Sequence, residues 1–189
     1  MSKDDRTSSL AETMVSSEDV FDGSLLHVRR DVVRLPDGGT ATREYVIHPG
    51  AVMIIPRLAD GNLVLERQYR YPLARVFIEF PAGKVDPGEA LLTTAMRELT
   101  EETGYIAARW SHLATIHPVI SYSTEQIDIF VADDLTHVGA RLDDGEFIEI
   151  FSASLDEALD WLDRGEITDV KTMLGLLLLA RALAAGTSA

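Results

Sequence analysis

The hydrophobic and polar positions along the chain change period several times, and each change predicts an element of secondary structure. Across residues 25–48, apolar and polar side chains alternate on either side of the turn sequence PDGG at 36–39, which predicts a β-hairpin. Two apolar runs follow, at 51–55 and 63–65, on either side of the turn sequence DGN at 60–62. They predict a second hairpin, whose first strand is buried because its apolar run is continuous.

Later segments mix strand and helix patterns. A short segment at residues 76–80 leads to the next motif, and further strands are predicted at residues 108–116, 126–132 and 146–153. Ser154 and Glu157 form a capping-box sequence, which predicts a helix that runs through Trp161 and ends at Gly165. A last helix is predicted to begin at Thr168 or Asp169 and to run to about Ala184, and its apolar stretch at residues 173–183 is too short for a membrane span.

Residues 83–105, GKVDPGEALLTTAMRELTEETGY, have helical spacing before a terminal glycine. Asp86 can cap free amides, and Glu89 completes a capping-box pattern around Pro87, so a helix is predicted to begin here. Gly104 is predicted to end it. The residues expected to pack inward are Ala90, Leu91, Ala95 and Leu99.

Three glutamates crowd one face of this helix. Glu98, Glu101 and Glu102, here called the box glutamates, stand at i, i+3 and i+4, and like charges at such spacing cost roughly 0.2–0.5 kcal/mol per pair. Arg97 offsets part of this repulsion through an i, i+4 pairing with Glu101. The cluster is tolerable as a solvated acidic face or as a cation site, and for the segment RELTEE alone the solvated face is the simpler interpretation.

The residues upstream of the glutamates change that interpretation. The pattern G-x5-E-x7-R-E-L-x-E-E-x-G-Y, from Gly83 to Tyr105, resembles the Nudix box of the Nudix hydrolases at every position. Its seven specified polar or glycine residues, at about 6% usage each, give a chance match on the order of 10⁻⁹ to 10⁻⁸ per starting position. The resemblance implies an α/β protein with the Nudix fold, an α/β/α sandwich with a mixed sheet, preceded by a small N-terminal antiparallel β hairpin or sheet.

Length and resemblance together imply the domain organisation. The 189 residues suit one domain of ordinary size. We expect a flexible N-terminal tail at 1–20, because that segment is polar. The hairpin at 21–48 is expected to build a homodimer, as in the nucleoside-diphosphate-sugar branch of the family, and the alternative is a hairpin packed on its own domain. Residues 49–189 are expected to form the Nudix hydrolase domain.

The composition argues against several classes of binding partner. Seventeen basic residues against thirty-one acidic ones give a formal net charge of −14, which repels nucleic acids and anionic membrane surfaces, so we expect neither as a partner. The chain has no cysteine, which excludes a thiolate metal site and favours a cytoplasmic location. No P-loop or G-x-S-x-G elbow suggests another enzyme class.

The resemblance implies a metal site. In Nudix hydrolases, glutamates that match Glu98, Glu101 and Glu102 and the carbonyl of the residue that matches Ala82 bind Mg²⁺, for which Mn²⁺ can substitute. The metal neutralises the diphosphate oxygens and activates a water molecule. We therefore expect Mg²⁺ as the cofactor.

The resemblance also implies a substrate site. QYR, which ends at Arg70, and E-x-P-A-G, which begins at Glu79, resemble the ADP-ribose pyrophosphatase branch. There the matching arginine contacts the substrate and the matching glutamate lines the site, and Glu125 falls where the branch keeps a substrate-side glutamate. Ile120 departs from the branch, which has a proline at that position, so another nucleotide sugar such as GDP-mannose remains an alternative substrate.

A carboxylate in the loop before the last strand is expected to take the proton from the attacking water, as in ADP-ribose pyrophosphatases. This places Glu146 or Asp144 in that role, and Glu101 and Arg97 complete the expected catalytic set. The expected reaction is the Mg²⁺-dependent hydrolysis of a nucleoside diphosphate sugar, with ADP-ribose giving AMP and ribose 5-phosphate. The alternative from another class is a sensor that binds a nucleotide without cleaving it, although a sensor has no reason to keep three repelling carboxylates.

Overall fold

The computed structural model describes residues 9–142, 145 and 147–186. Contacts between Cα atoms divide the chain into two compact units. The first contains Met1–His48 and Val119–Glu125, and the second contains Pro49–Pro118 and Gln126–Ala189.

The first unit is built on three strands, β1 (Thr13–Asp22), β2 (His27–Arg34) and β3 (Thr40–Ile47), which form an antiparallel sheet in that order. β2 and β3 form the hairpin predicted within residues 25–48, and the Leu35 N–H donates to the Gly39 carbonyl at 2.9 Å to close its turn. The segment Val119–Glu125 joins β3, since the Val46 N–H donates to the Tyr122 carbonyl at 2.9 Å.

The prediction of a flexible tail over residues 1–20 is wrong for residues 13–20, which belong to β1. Every residue of β1 is exposed, so burial does not hold this strand. The antiparallel backbone ladder with β2 holds it, and Asp19 pairs with Arg29 at 2.9 Å and Glu18 with Arg30 at 3.1 Å across that ladder. Opposite charges on neighbouring strands stabilise a sheet, and the sequence does not show that these strands are neighbours.

The second unit contains two sheets and three α-helices within its described residues. The strands are β4 (Ala51–Pro56), β5 (Leu63–Arg70), β6 (Arg75–Glu79), β7 (Ala82–Lys84), β8 (Tyr105–Ile116), β9 (Ile127–His137) and β10 (Ile148–Ala153). The helices are α1 (Leu91–Thr103), α2 (Leu155–Asp163) and α3 (Val170–Ala184), and a 3₁₀ helix spans Tyr71–Leu73. The strand orders are β7-β4-β9-β8, a mixed sheet in which β4 and β9 are parallel, and β10-β5-β6, an antiparallel sheet.

β4 lies at the centre of the core and buries both of its faces. Met53 belongs to one apolar cluster, which includes Leu176 of α3, whereas Ile54 belongs to a second cluster with Leu99 of α1. All three elements are therefore stacked with β4 in the middle layer. This arrangement confirms the predicted α/β/α sandwich with a mixed sheet.

The second predicted hairpin is wrong in its pairing, although both of its strands exist. β4 and β5 belong to different sheets, and the two arms meet only at the turn, through a bridge between Arg57 and Leu63 and a hydrogen bond from the Leu58 N–H to the Asn62 carbonyl at 2.8 Å. The reason is that β4 is apolar on both faces and pairs instead with β9 and β7.

The start predicted for α1 is also wrong, since Ala90 is its N-cap residue and no side chain caps the helix. Ala90 and Leu91 are exposed, contrary to expectation, because they lie at this uncapped end. Gly104 ends the helix in a left-handed conformation (φ 72°), as predicted. Among the described residues, none of the helices combines the length and apolar character that crossing a membrane would require.

The other two helix predictions are confirmed. Ser154 and Glu157 form a reciprocal capping box at the start of α2. Asp169 caps α3 by accepting a hydrogen bond from the Thr172 N–H at 3.0 Å.

Candidate active site

Gly83 lies in β7 directly against the side chain of Glu98. A Cβ atom on Gly83 would come within 1.9 Å of both Cδ and Oε1 of Glu98. The φ of Gly83 is not in the left-handed region, so the requirement for glycine is one of space. Glu98 Oε1 also accepts a hydrogen bond from Arg97 Nη1 at 2.8 Å. The Glu98 carboxylate is therefore held between the β7 backbone and a guanidinium group.

Glu102 is fixed to the residue that precedes Gly83. Its side chain is buried (5% exposed), and its Oε2 accepts a hydrogen bond from the Ala82 N–H at 3.0 Å. β7 is in turn paired with the central strand β4. Two carboxylates one helical turn apart on α1 thus meet two consecutive residues of β7, which explains the spacing between Gly83 and the glutamates.

Arg97 binds three carboxylates of this cluster. It donates hydrogen bonds to Glu89 at 3.0 Å, to Glu98 at 2.8 Å and to Glu101 at 3.0 Å, and the last contact confirms the predicted i, i+4 pair. The hydrogen bond that Arg97 donates to Glu89 is the main reason why the pKa of Arg97 is raised further above its ordinary value. Conversely, the hydrogen bonds from Arg97 and Thr94 hold the pKa of Glu89 below its usual range. Glu89 is therefore a partner of Arg97, which is why it does not cap α1.

The oxygen atoms around β7 are of the kind that bind a divalent cation. In the described part of the chain, no three Asp, Glu, His or Cys side chains already converge in metal-binding geometry. The contacts of Arg97 account for this, because Glu98 and Glu101 both bind the guanidinium group. The box glutamates nevertheless present carboxylate oxygens on one helical face beside the backbone of Ala82, and carboxylate and carbonyl oxygens are the ligands that Mg²⁺ prefers.

A second charged cluster lies where β5, β6 and α3 meet. Arg70 donates to Glu79 through two hydrogen bonds, from Nε at 2.7 Å and from Nη2 at 2.8 Å. Lys171 donates to the same carboxylate and also to Asp169 Oδ2, at 2.9 Å. Burial by itself raises the pKa of Glu79, but the hydrogen bond from Arg70 and the charge of Lys171 outweigh it, so the pKa lies below its usual range. Glu79 is thus a carboxylate with a cation on either side.

The structure groups some of the predicted site residues and separates others. Seven of them belong to the two clusters of the second unit: Arg70, Glu79, Ala82, Arg97, Glu98, Glu101 and Glu102. Glu125 belongs to the first unit, where its N–H donates to Ser123 Oγ at 3.1 Å and its carboxylate lies 3.9 Å from His48 Nε2. Asp144 and Glu146 lie outside the described residues.

Lys171 is the residue of these clusters that the sequence analysis misses. A lysine in the first turn of an apolar helix is easily taken for a surface residue. Its charge is unfavourable at that end of a helix, however, because the helix dipole places partial positive charge there. This conflict, together with the capping residue Asp169 two positions earlier, is the signal that could have identified a buried carboxylate partner.

Comparison with known proteins supports the resemblance to the Nudix hydrolases found in the sequence. A family model described as the NUDIX domain matches residues 47–174, which is more than half of the chain. The chain belongs to the Nudix family. A model described as the nucleoside diphosphate sugar hydrolase N-terminal domain matches residues 12–46 of this Nudix protein, a range that includes all of β1 and β2.

The relatives of this Nudix hydrolase cover most of its length. It is 35% identical over 166 residues to the ADP-ribose pyrophosphatase of Bacillus subtilis (strain 168), a match covering 87% of this chain and 90% of the relative. It is 37% identical over 167 residues to the methanol dehydrogenase activator of Bacillus methanolicus, again covering 87% and 90%. The crystal structure of an ADP compounds hydrolase has a TM-score of 0.83 and 27% identity, covering 93% of this chain and 95% of that one.

Proposed function

We propose that this Nudix hydrolase cleaves the diphosphate bond of a nucleoside diphosphate sugar in a Mg²⁺-dependent reaction, with ADP-ribose as its main substrate and AMP and ribose 5-phosphate as products. The observation that carries the proposal is the contact of Glu98 with Gly83 and of Glu102 with Ala82, which sets two carboxylates against β7. The similarity to an ADP-ribose pyrophosphatase supports the choice of substrate. The absence of cysteine supports a cytoplasmic setting.

The two clusters have different tasks in this proposal, metal binding in the first and substrate binding in the second. The box glutamates and the Ala82 carbonyl would hold Mg²⁺, with Mn²⁺ as a substitute. When bound, the ion supplies positive charge at the diphosphate and lowers the pKa of a water molecule. Arg97 restrains the Glu98 and Glu101 carboxylates through its hydrogen bonds to both. Arg70, aligned by its two hydrogen bonds to Glu79, offers a guanidinium group to the anionic substrate.

A panel of substrates tests this proposal. The protein is incubated with Mg²⁺ and ADP-ribose, GDP-mannose, other nucleotide sugars and nucleoside triphosphates, and the products are identified by mass. We expect a nucleoside monophosphate and a sugar phosphate, with ADP-ribose cleaved fastest. Release of pyrophosphate from triphosphates, with nucleotide sugars untouched, contradicts the proposal. Binding of a nucleotide sugar without turnover identifies a sensor instead.

One observation favours GDP-mannose, or another nucleotide sugar, as the second candidate. Ile120 replaces the proline of the ADP-ribose pyrophosphatase branch, and it lies in the segment Val119–Glu125 with 85% of its surface exposed. If Ile120 changes the specificity relative to that branch, we expect the change to affect which sugar or base is preferred. The same panel separates the two candidates by their relative kcat/KM.

We also propose that the first unit forms a homodimer. β1 is exposed along its whole length, and its apolar side chains Met14, Val15, Val20 and Phe21 are among those exposed. A two-fold symmetric contact would pair this surface with its copy. Light scattering at working concentration should give twice the chain mass of 20.8 kDa, and a monomer there rejects the proposal.

A further inference from the structure

Two buried carboxylates face each other across β5 and β6. Glu66 is 1% exposed and Glu79 is 2% exposed, and they are register partners, so their side chains lie on the same face of the sheet. Like charges directly opposite each other are unfavourable, and burial strengthens the effect. The two cations that bind Glu79, Arg70 and Lys171, therefore have an electrostatic task at this position.

The two cations differ in how firmly they are held. The Arg70 side chain is 41% exposed, at the end of β5, whereas the Lys171 side chain is only 12% exposed. Lys171 is also anchored to Asp169, the residue that caps α3. Glu79 thus lies between a cation fixed to a helix and a cation that reaches solvent.

α3 holds two consecutive residues, the last residue of β6 and the one that follows it. Lys171 binds the Glu79 side chain, and the Phe80 N–H donates to Thr172 Oγ1 at 3.0 Å. The strand therefore ends in a fixed position relative to the helix. Ala82, which binds Glu102, follows two residues later.

We propose that Lys171 is a positioning residue for substrate binding. It fixes the Glu79 carboxylate, and that carboxylate holds the Arg70 guanidinium in the orientation that receives the substrate. Without Lys171, the Glu79 carboxylate loses its attachment to α3 and can rotate, so its two hydrogen bonds from Arg70 weaken and the guanidinium group loses its fixed orientation. The inference rests on the proposed function for the identity of the substrate, but not for the geometry.

Kinetics provide the first test. Lys171→Met removes the charge at nearly constant length, and Lys171→Arg keeps the charge. The matched control is Arg57→Met, which removes a cation from another buried carboxylate of the same unit, Asp133. We expect Lys171→Met to raise KM for ADP-ribose roughly tenfold with a smaller change in kcat, since a misplaced binding group costs affinity and alignment.

The comparison among variants separates positioning from stability. Lys171→Arg should restore KM to within about threefold, and Arg57→Met should lower Tm without raising KM. An unchanged KM in Lys171→Met, or an equal rise in Arg57→Met, overturns the inference. If Lys171→Met does not fold, Lys171→Gln is used in its place. An unchanged KM in Lys171→Gln, or an equal rise in Arg57→Met, then overturns the inference.

A measurement without turnover keeps this inference distinct from the proposed function. The Nε–H signal of Arg70 in a ¹⁵N NMR spectrum, assigned by its loss in Arg70→Lys, reports the hydrogen bond to Glu79 directly. We expect it to shift and exchange faster with water in Lys171→Met and to stay unchanged in Arg57→Met. An unchanged signal in Lys171→Met overturns the inference even if ADP-ribose proves to be the substrate, whereas a changed signal supports it even if every compound of the panel is left intact.

Discussion

The carboxylate of Glu98 occupies the space that a side chain on Gly83 would need. The distance from a Cβ atom on Gly83 to the Glu98 Cδ would be 1.9 Å, far below any van der Waals contact. Since the backbone at Gly83 is not in a left-handed conformation, the glycine serves the approach of Glu98. This relationship links the first glycine of the motif to its central glutamate through one contact.

Gly83→Ala should therefore damage activity more than folding. The new methyl group displaces the Glu98 carboxylate, and a shift of about 1 Å in a catalytic group can cost roughly 10²-fold in rate. We expect kcat to fall by about that factor while the circular dichroism spectrum is retained. Gly61→Ala is the control: Gly61 lies in an open turn away from both clusters with a φ of 89°, so alanine there should cost stability but leave kcat unchanged. Wild-type kcat in Gly83→Ala contradicts the prediction.

Glu98→Gln and Glu102→Gln should each remove most turnover and weaken metal binding. An amide has nearly the same shape as the carboxylate but no charge, so a bound cation loses a ligand while the helix remains. We expect at least a roughly 10²-fold loss in kcat and a weaker Mn²⁺ signal change in electron paramagnetic resonance titrations. Glu149→Gln, in an exposed pair with Arg67, is the control. Normal activity and metal affinity in both variants would contradict the assignment of Glu98 and Glu102 as metal ligands.

Arg97→Lys should lower both stability and activity. Lysine keeps the positive charge but cannot bind Glu89, Glu98 and Glu101 through one planar fork. We expect a loss of roughly 1–3 kcal/mol in the free energy of unfolding measured by urea denaturation. Arg164→Lys, at an exposed ion pair, should change it by no more than about 0.5 kcal/mol. Equal effects in the two variants contradict the prediction.

The loop before β10 should supply the proton acceptor. Asp144 and Glu146 lie outside the described residues, and the prediction comes from the family resemblance. Asp144→Asn and Glu146→Gln are made separately and kcat is followed against pH at saturating Mg²⁺. A general base is typically worth about 10²–10⁴ in rate, so one variant should fall at least tenfold. If neither does, Glu101 or Glu125 becomes the better candidate.

Asp128 should make stability depend on pH in the acid range. Burial by itself raises the pKa of Asp128, but hydrogen bonds from Thr115, Gln126 and His112 outweigh it, so the pKa lies below its ordinary value of 3.8. The carboxylate therefore contributes stability that is present above pH 3.8 and is lost as pH falls through the lower pKa of the folded state.

Asp128→Asn lacks this contribution. The difference in urea midpoint between the wild type and Asp128→Asn should be largest near pH 5 and should shrink toward pH 3. Asp163→Asn, at the exposed end of α2, controls for the loss of one negative charge. A midpoint difference that stays constant over this range shows that the Asp128 carboxylate is not held as described.

Local sequence determined much of this protein, because many of its decisive interactions are short in range. The motif from Gly83 to Tyr105, the capping box at Ser154 and the turn between β2 and β3 each involve residues close along the chain. Their chemistry can therefore be recognised without knowing the fold. The placement of the box glutamates on one face of a helix followed in the same way, from the helical period alone.

Tertiary structure alone decided which distant groups meet. The ion pairs that hold β1 to β2, the separation of β4 and β5 into different sheets, and the contact of Lys171 with Glu79 all join residues whose proximity depends on the whole chain. Lys171 and Glu79 are 92 positions apart, so no local pattern records their contact. A buried charge is stable only with its partner in place, and that partner is supplied by the packing of α3 against the end of β6.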